Sequence, residues 1–178
     1  MNRNKKIINY SWITKIVISS FLISVIFTLI SETIIPNVGI ILGIFLSLMF
    51  ILIGVIFDMI GIAVATAEEA QFNSMAAKRV KGARMALKLK RNADKVSTFC
   101  NDVVGDICGI VSGATGSVIA LKITQFYNYN NLIVILIVMG SISCLTIGGK
   151  ALEKGYAMKK SNNILFAFAK ILSIFSKK

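Results

Sequence analysis

Four apolar runs constrain what this chain can fold into. Residues 16–30, 38–66, 99–121 and 132–148 contain no lysine or arginine. A helix needs about 20 apolar residues to cross the hydrocarbon core of a bilayer. The first and last runs are slightly short, and the second is long enough to tilt or to project beyond the membrane. The pattern predicts an all-α integral membrane protein of about four transmembrane helices. The 178 residues, 56% hydrophobic with a mean hydropathy of +0.77, leave room for one membrane domain and no second globular one.

The net charge of +12 sorts along this frame. Basic residues precede the first run, crowd residues 78–95 between the second and third, and follow the fourth. Of the 20 lysines and arginines only Lys122 falls on the other side of an even-pass topology. The positive-inside rule makes the basic side cytoplasmic and puts both termini there, in a multi-pass protein of the cell membrane, inner or plasma. Anionic lipid headgroups account for the charge, so no nucleic-acid partner is expected. The first run follows a basic stretch, as a signal peptide does, but has no convincing cleavage site, and is read as an uncleaved span. Residues 31–37, with the single proline, Pro36, form an external hairpin.

Between the second and third runs, Phe72, Met75, Ala76, Val80, Ala83 and Leu87 recur at three- and four-residue steps among basic residues. They predict a cytoplasmic juxtamembrane helical hairpin over 68–95, lying in the headgroup layer and turning near Gly82. Ile164, Leu165, Phe168, Ile171, Leu172 and Phe175 give residues 162–175 the stripe of a terminal amphipathic helix, read as a lipid-surface anchor.

Three aspartates, Asp58, Asp102 and Asp106, lie inside apolar runs. A carboxylate at mid-membrane costs about 2.5–3.5 kcal/mol on insertion scales, and such groups face a bundle interior or a cavity. The third run has nine strongly apolar residues contributing about −4 kcal/mol, against about +6 kcal/mol for its two aspartates. It therefore has to pack against other helices, water or an ion. Asp102 and Asp106 share a helical face, and no cation lies near them in sequence, which calls for a bound cation, a proton or a partner from another helix. At 1.5 Å per residue, Asp58 and Asp106 each lie about 13 Å from the basic side, so the two can meet. Gly105, Gly109 and Gly113, with Ser112 and Gly116 beside them, are answered by Gly140, Cys144 and Gly148 in the fourth run and by Gly54 and Gly61 in the second; these small-residue faces predict close helix packing and favour a homodimer.

Cys100, Cys108 and Cys144 have no metal-ligand spacing and read as buried small apolar residues, without a disulfide. The chain has no histidine, no nucleophile with a plausible base and no phosphate loop; Gly148-Gly149-Lys150 is too short for one. No enzymatic activity and no organic cofactor are expected.

The order of parts resembles the transmembrane domain of the CNNM/CorC (cyclin M) family of magnesium transporters. Ala67-Glu68-Glu69-Ala70 resembles the family's Ser-Glu-Thr-Ala motif, with Glu68 as the family-motif residue. Leu87-Lys88-Leu89 leading to Asn92-Ala93-Asp94-Lys95 resembles its hairpin end, Asn-Pro-Asp-Arg. Asn101-Asp102 falls near its Asn-Asn pair and Asp106 near its next Asn; Gly149-Lys150-Ala151 to Lys154 resembles the exit from its last span. The resemblance divides the chain at residue 38. Residues 1–37 hold a basic segment, an extra span and the external hairpin, and 38–178 the family-like domain. It implies a dimer that binds Mg²⁺ in a cytoplasm-facing cavity. Ala65 and Ala67 stand where the family has serines, and the 178 residues contain no CBS pair, which implies a separate CBS-containing or other membrane partner.

The expected site is an oxygen-rich cation pocket of Asp102, Asp106, Asn101, Asp58 and Ser112, suited to Mg²⁺ or another hard cation as transported ligand. The alternative function is a non-transporting membrane scaffold or regulatory subunit, with the aspartates neutral and hydrogen-bonded across helices. A third is a proton- or Na⁺-coupled element.

Overall fold

The computed structural model describes residues 10–127 and 131–175. The basic residues Arg3, Lys5, Lys6, Lys177 and Lys178 lie outside the described residues, as does part of the loop between the third and fourth apolar runs.

Each apolar run folds as a helix. The first forms α1, Tyr10–Ile34, and the second α2, Ile40–Thr66, joined by a 3₁₀ turn at Ile35–Asn37. Pro36 sits at the start of that turn, where a fixed φ and a missing N–H are tolerated. Three short helices follow: α3, Glu69–Ala77; α4, Ala83–Arg91; and α5, Ala93–Thr98. The chain then passes through a π-helical segment, Phe99–Gly105, into α6, Asp106–Tyr127. It ends with α7, Asn131–Lys159, and α8, Ser161–Phe175. Four stretches are long and apolar enough to cross a membrane: Tyr10–Ile34, Ile40–Thr66, Ala93–Tyr127 and Leu132–Lys159.

The third of these stretches is the least apolar and the most enclosed. In its most apolar 18-residue window 56% of residues are buried, against 22% in α2 and none in α1 or α7. A helix whose aspartates oppose insertion is wrapped by the other three, which turn Ile and Leu side chains outward. Several polar contacts join helices inside the bundle. The Ser31 and Thr115 hydroxyls, on α1 and α6, lie 2.8 Å apart. The Ser47 hydroxyl donates to the Ser112 carbonyl at 3.5 Å. Lys122 Nζ donates to the carbonyls of Ile35, at 2.8 Å, and Val38, which satisfies two acceptors of the turn between α1 and α2.

The close approaches fall on Gly54 and Gly61 of α2 and Gly116 of α6, all expected on packing faces, and on Gly149, while most of the Gly105–Gly113 and Gly140–Gly148 ladders stay open among the described residues. Gly109, Gly113, Gly140 and Gly148 have no neighbour where a side chain would begin. A Cβ on Gly54 would stand 3.0 Å from Cys108 Cβ, and one on Gly149 2.9 Å from Val55 Cγ2. At Gly61 it would overlap the Asn101 side chain, and at Gly116 the tip of Ile142. Spacing alone identified small faces but not which of them meets a neighbour. Cys144 departs from expectation for the same reason: it is exposed on α7, whereas Cys100 and Cys108 are buried.

At the end where α2 finishes, α3, α4 and α8 build a packed layer. Phe72, Ala86, Leu165 and Ala169 are fully buried there against Val64 of α2. The apolar stripe of α8 is thus partly a protein core, not a lipid anchor along its whole length. Hydrogen bonds fix the layer to the bundle. Lys90 Nζ donates to the Val64 and Ala65 carbonyls at 3.2 and 2.8 Å, satisfying acceptors that the end of α2 leaves open. The Glu68 N–H donates to Asn162 Oδ1 at 2.8 Å, joining the start of α3 to α8. Arg91 Nε pairs with Glu69 Oε1 at 2.9 Å.

Candidate functional site: an acidic cavity between three helices

The three aspartates of the apolar runs come together. Asp58 from α2, Asn101 and Asp102 from the π-helical segment, and Asp106 at the start of α6 line one open cavity of about 570 Å³. Lys150 and Lys154 of α7 complete its polar wall. Insertion of a carboxylate into a span is tolerated where it faces a water-accessible space, and this cavity is such a space.

The π-helical segment positions the site. Its wider winding, a feature that recurs at functional positions, replaces the α-helical register over Phe99–Gly105. Asn101 is thereby pressed on the bare backbone of Gly61, where any larger residue on α2 would collide with it. Asn101 Oδ1 is buried there without a hydrogen-bond partner. Asp102 and Asp106 remain on the cavity side and are exposed to it. Nothing in the residue types between Phe99 and Gly105 announces this winding.

Lys150 supplies the cation that is missing near the aspartates in sequence. Its Nζ lies 3.5 Å from Asp106 Oδ1, a loose pair whose carboxylate side is 66% exposed. A surface pair of this kind contributes little stability but sets the charge inside the cavity. Lys150 is on α7, so the partner comes from another helix.

A fourth carboxylate joins the site. Glu153 of α7 is 8% exposed, and neither of its oxygens has a hydrogen-bond partner. Asp58 stands within hydrogen-bond reach of it, where one proton would have to be shared between the two carboxyl groups, and Lys150 lies near enough for its charge to act on it. A buried carboxylate without partners is costly unless a cation or proton compensates it. The sequence placed the end of the fourth apolar run at residue 148, so the Lys150, Glu153, Lys154 cluster read as an exit from the membrane. The available signal was its helical spacing of three and four residues on the unbroken continuation of that run.

Ser112 does not join the site. It is fully buried on α6, and its hydroxyl donates to the Gly109 carbonyl at 2.9 Å. Glu68 is exposed before α3 and takes part through its backbone N–H contact with Asn162.

Among the described residues, no three His, Cys, Asp or Glu side chains stand close enough to hold a metal ion directly. Carboxylates spread around a wide cavity suit an ion that keeps its own water. Mg²⁺ dehydrates reluctantly and takes one or two carboxylates among retained waters. Compared with protein-family models, curated proteins and solved structures, the chain matches none.

Proposed function

We propose that this chain is a multi-pass protein of the cell membrane, inner or plasma, that handles a hydrated hard cation of the Mg²⁺ type. It acts as a divalent-cation transporter or as a transport-related membrane protein. The observation that carries this reading is the convergence of Asp58, Asn101, Asp102 and Asp106 on one open cavity. The buried oxygens of Asn101 and Glu153 beside it, which no donor among the described residues reaches, support the same reading. In this reading both termini are cytoplasmic, and the cavity opens toward the basic, cytoplasmic side. Asp58 is eight residues from the end of α2, about 12 Å along the helix. The resemblance to the CNNM/CorC transmembrane domain, with its homodimer and cytoplasm-facing Mg²⁺ site, belongs to the same proposal, as does a separate CBS-containing partner.

The experiment is a thermal unfolding series on the full chain in detergent. Mg²⁺ at a hundredfold excess over its Kd stabilises the folded state by about 2.7 kcal/mol. Asp58→Asn combined with Asp102→Asn removes that shift. Failure of Mg²⁺, Ca²⁺ and Mn²⁺ alike to move the wild-type midpoint rejects the reading.

The Lys150–Asp106 pair favours a second reading, a scaffold or regulatory subunit whose charges join helices. On that reading Lys150→Met lowers the midpoint, and the aspartate double variant has the same midpoint as the wild type with and without Mg²⁺.

A further inference from the structure

The turn between α3 and α4 gathers charge that no carboxylate among the described residues neutralises. Arg79, Lys81 and Arg84 line an open cavity of about 350 Å³ together with Val80 and Gly82. Among the described residues none of the three cations has a carboxylate within ion-pair distance, whereas Arg91 at the far end of α4 is paired with Glu69. Like charges gather at one turn only where the fold holds them or a ligand compensates them.

The fold does hold them. Arg79 has φ 55° and Gly82 φ 91°, so the chain reverses tightly and sets the three side chains around one space. At Gly82 a side chain would stand 3.2 Å from the Lys170 backbone, so the turn rests directly on α8. The surroundings are apolar as well as basic. Val80 at the tip of the turn is 38% exposed, and Ile171 and Ile174, just beyond Lys170 on α8, are 55% and 59% exposed. Apolar tips beside a ring of unpaired cations are suited to the boundary between acyl chains and headgroups. Charge complementarity then names the occupant, since the phosphates of anionic lipids attract such clusters at the membrane surface.

We propose that the α3–α4 turn, seated on α8, is a binding site for the phosphate headgroup of an anionic phospholipid in the same bilayer that the long helices cross. Arg79, Lys81 and Arg84 contact the phosphate, and Val80, Ile171 and Ile174 enter the acyl-chain boundary. The site is separate from the acidic cavity and does not depend on the cation reading.

The test uses the full chain in detergent, titrated with fluorescent short-chain phosphatidylglycerol. Phosphatidylcholine and inorganic phosphate serve as the comparison ligands. Phosphatidylglycerol is expected to bind at least tenfold more tightly than either. The combined change Arg79→Gln, Lys81→Gln and Arg84→Gln is expected to weaken it by tenfold or more. The exposed single change Arg84→Gln leaves the fold in place and is expected to weaken binding about fivefold. Removing three charges elsewhere on the same side, by Lys88→Gln, Lys95→Gln and Lys159→Gln, should alter it less than twofold. An equal loss in the two triple variants overturns the proposal in favour of diffuse attraction. Displacement by inorganic phosphate at matching concentration overturns it in favour of a free-phosphate site.

Discussion

The stretch Ala93–Tyr127 and helix α7 are both long enough to cross a membrane, yet they are used in opposite ways. The first carries Asp102, Asp106 and a run of small residues, and more than half of its most apolar window is buried. The second is uninterrupted in its apolar run, and none of its corresponding window is buried. The stretch least suited to lipid is also the one most surrounded by protein. The polar chemistry follows the same division. Asn101, Asp102 and Asp106 come from the enclosed stretch, whereas α7 contributes Lys150 and Glu153 only after its apolar run has ended.

The division is broken most sharply at glycines. Gly61→Leu drives a side chain into Asn101 and displaces the π-helical segment from α2. Overpacking of this kind costs about 3 kcal/mol or more, and the variant is expected to lose most of its folded fraction in detergent. Gly148→Leu on α7 enters open space and is expected to leave the thermal midpoint within about 1 kcal/mol of the wild type. Equal damage from the two changes would mean that α7 is as tightly enclosed as its counterpart.

The glycine pair also marks where sequence reasoning reached its end. Apolar runs and their basic flanks specified helices with good fidelity, because hydrocarbon accepts little else and each run is long. Asp102 and Asp106 were placed on one face by spacing alone, and both line the cavity. Which glycines touch neighbours depends on helix rotation, and rotation depends on all contacts at once. The π-helical winding accompanies the seating of Asn101 on Gly61, and no local pattern encodes it. Lys150 and Glu153 were visible as charged residues, but helix α7 had to continue beyond residue 148 before they could reach Asp106 and Asp58. Ser112 shows the opposite error: a polar residue on the right helix, turned into the packed side and satisfied by its own backbone.

A lysine comparison gives an effect of intermediate size. Lys122 of α6 donates to two carbonyls of the turn between α1 and α2, and Lys122→Met leaves both without that donor. Hydrogen bonds from a charged donor contribute about 1.5–3 kcal/mol, so a clear fall in the midpoint is expected. Lys159 is exposed at the end of α7, and Lys159→Met is expected to change stability by less than about 0.5 kcal/mol. Equal midpoints for the two variants would remove the role assigned to Lys122 in closing the turn.

The smallest effect tests whether α1 is attached through α6 or merely lies beside it. The Ser31 hydroxyl meets that of Thr115 inside the bundle, where no water competes. Ser141 on α7 instead donates to the Ile137 carbonyl one turn back on its own helix, at 2.7 Å on an exposed face. Hydrogen bonds between helices within membranes average about 0.6 kcal/mol, so Ser31→Ala should lower stability by about that amount. Ser141→Ala, which breaks only a bond within one helix, should be closer to zero. A double-mutant cycle of Ser31→Ala with Thr115→Ala isolates the interhelical contribution. A coupling energy of zero would leave α1 held by its apolar contacts alone, among them Ile16 and Ile23 against the Val103, Ile107 and Val111 cluster and the edge-to-face pair of Phe27 with Phe50 on α2, whose ring centroids are 6.2 Å apart. A coupling near 0.6 kcal/mol would instead make the enclosed helix the element to which α1 is fastened.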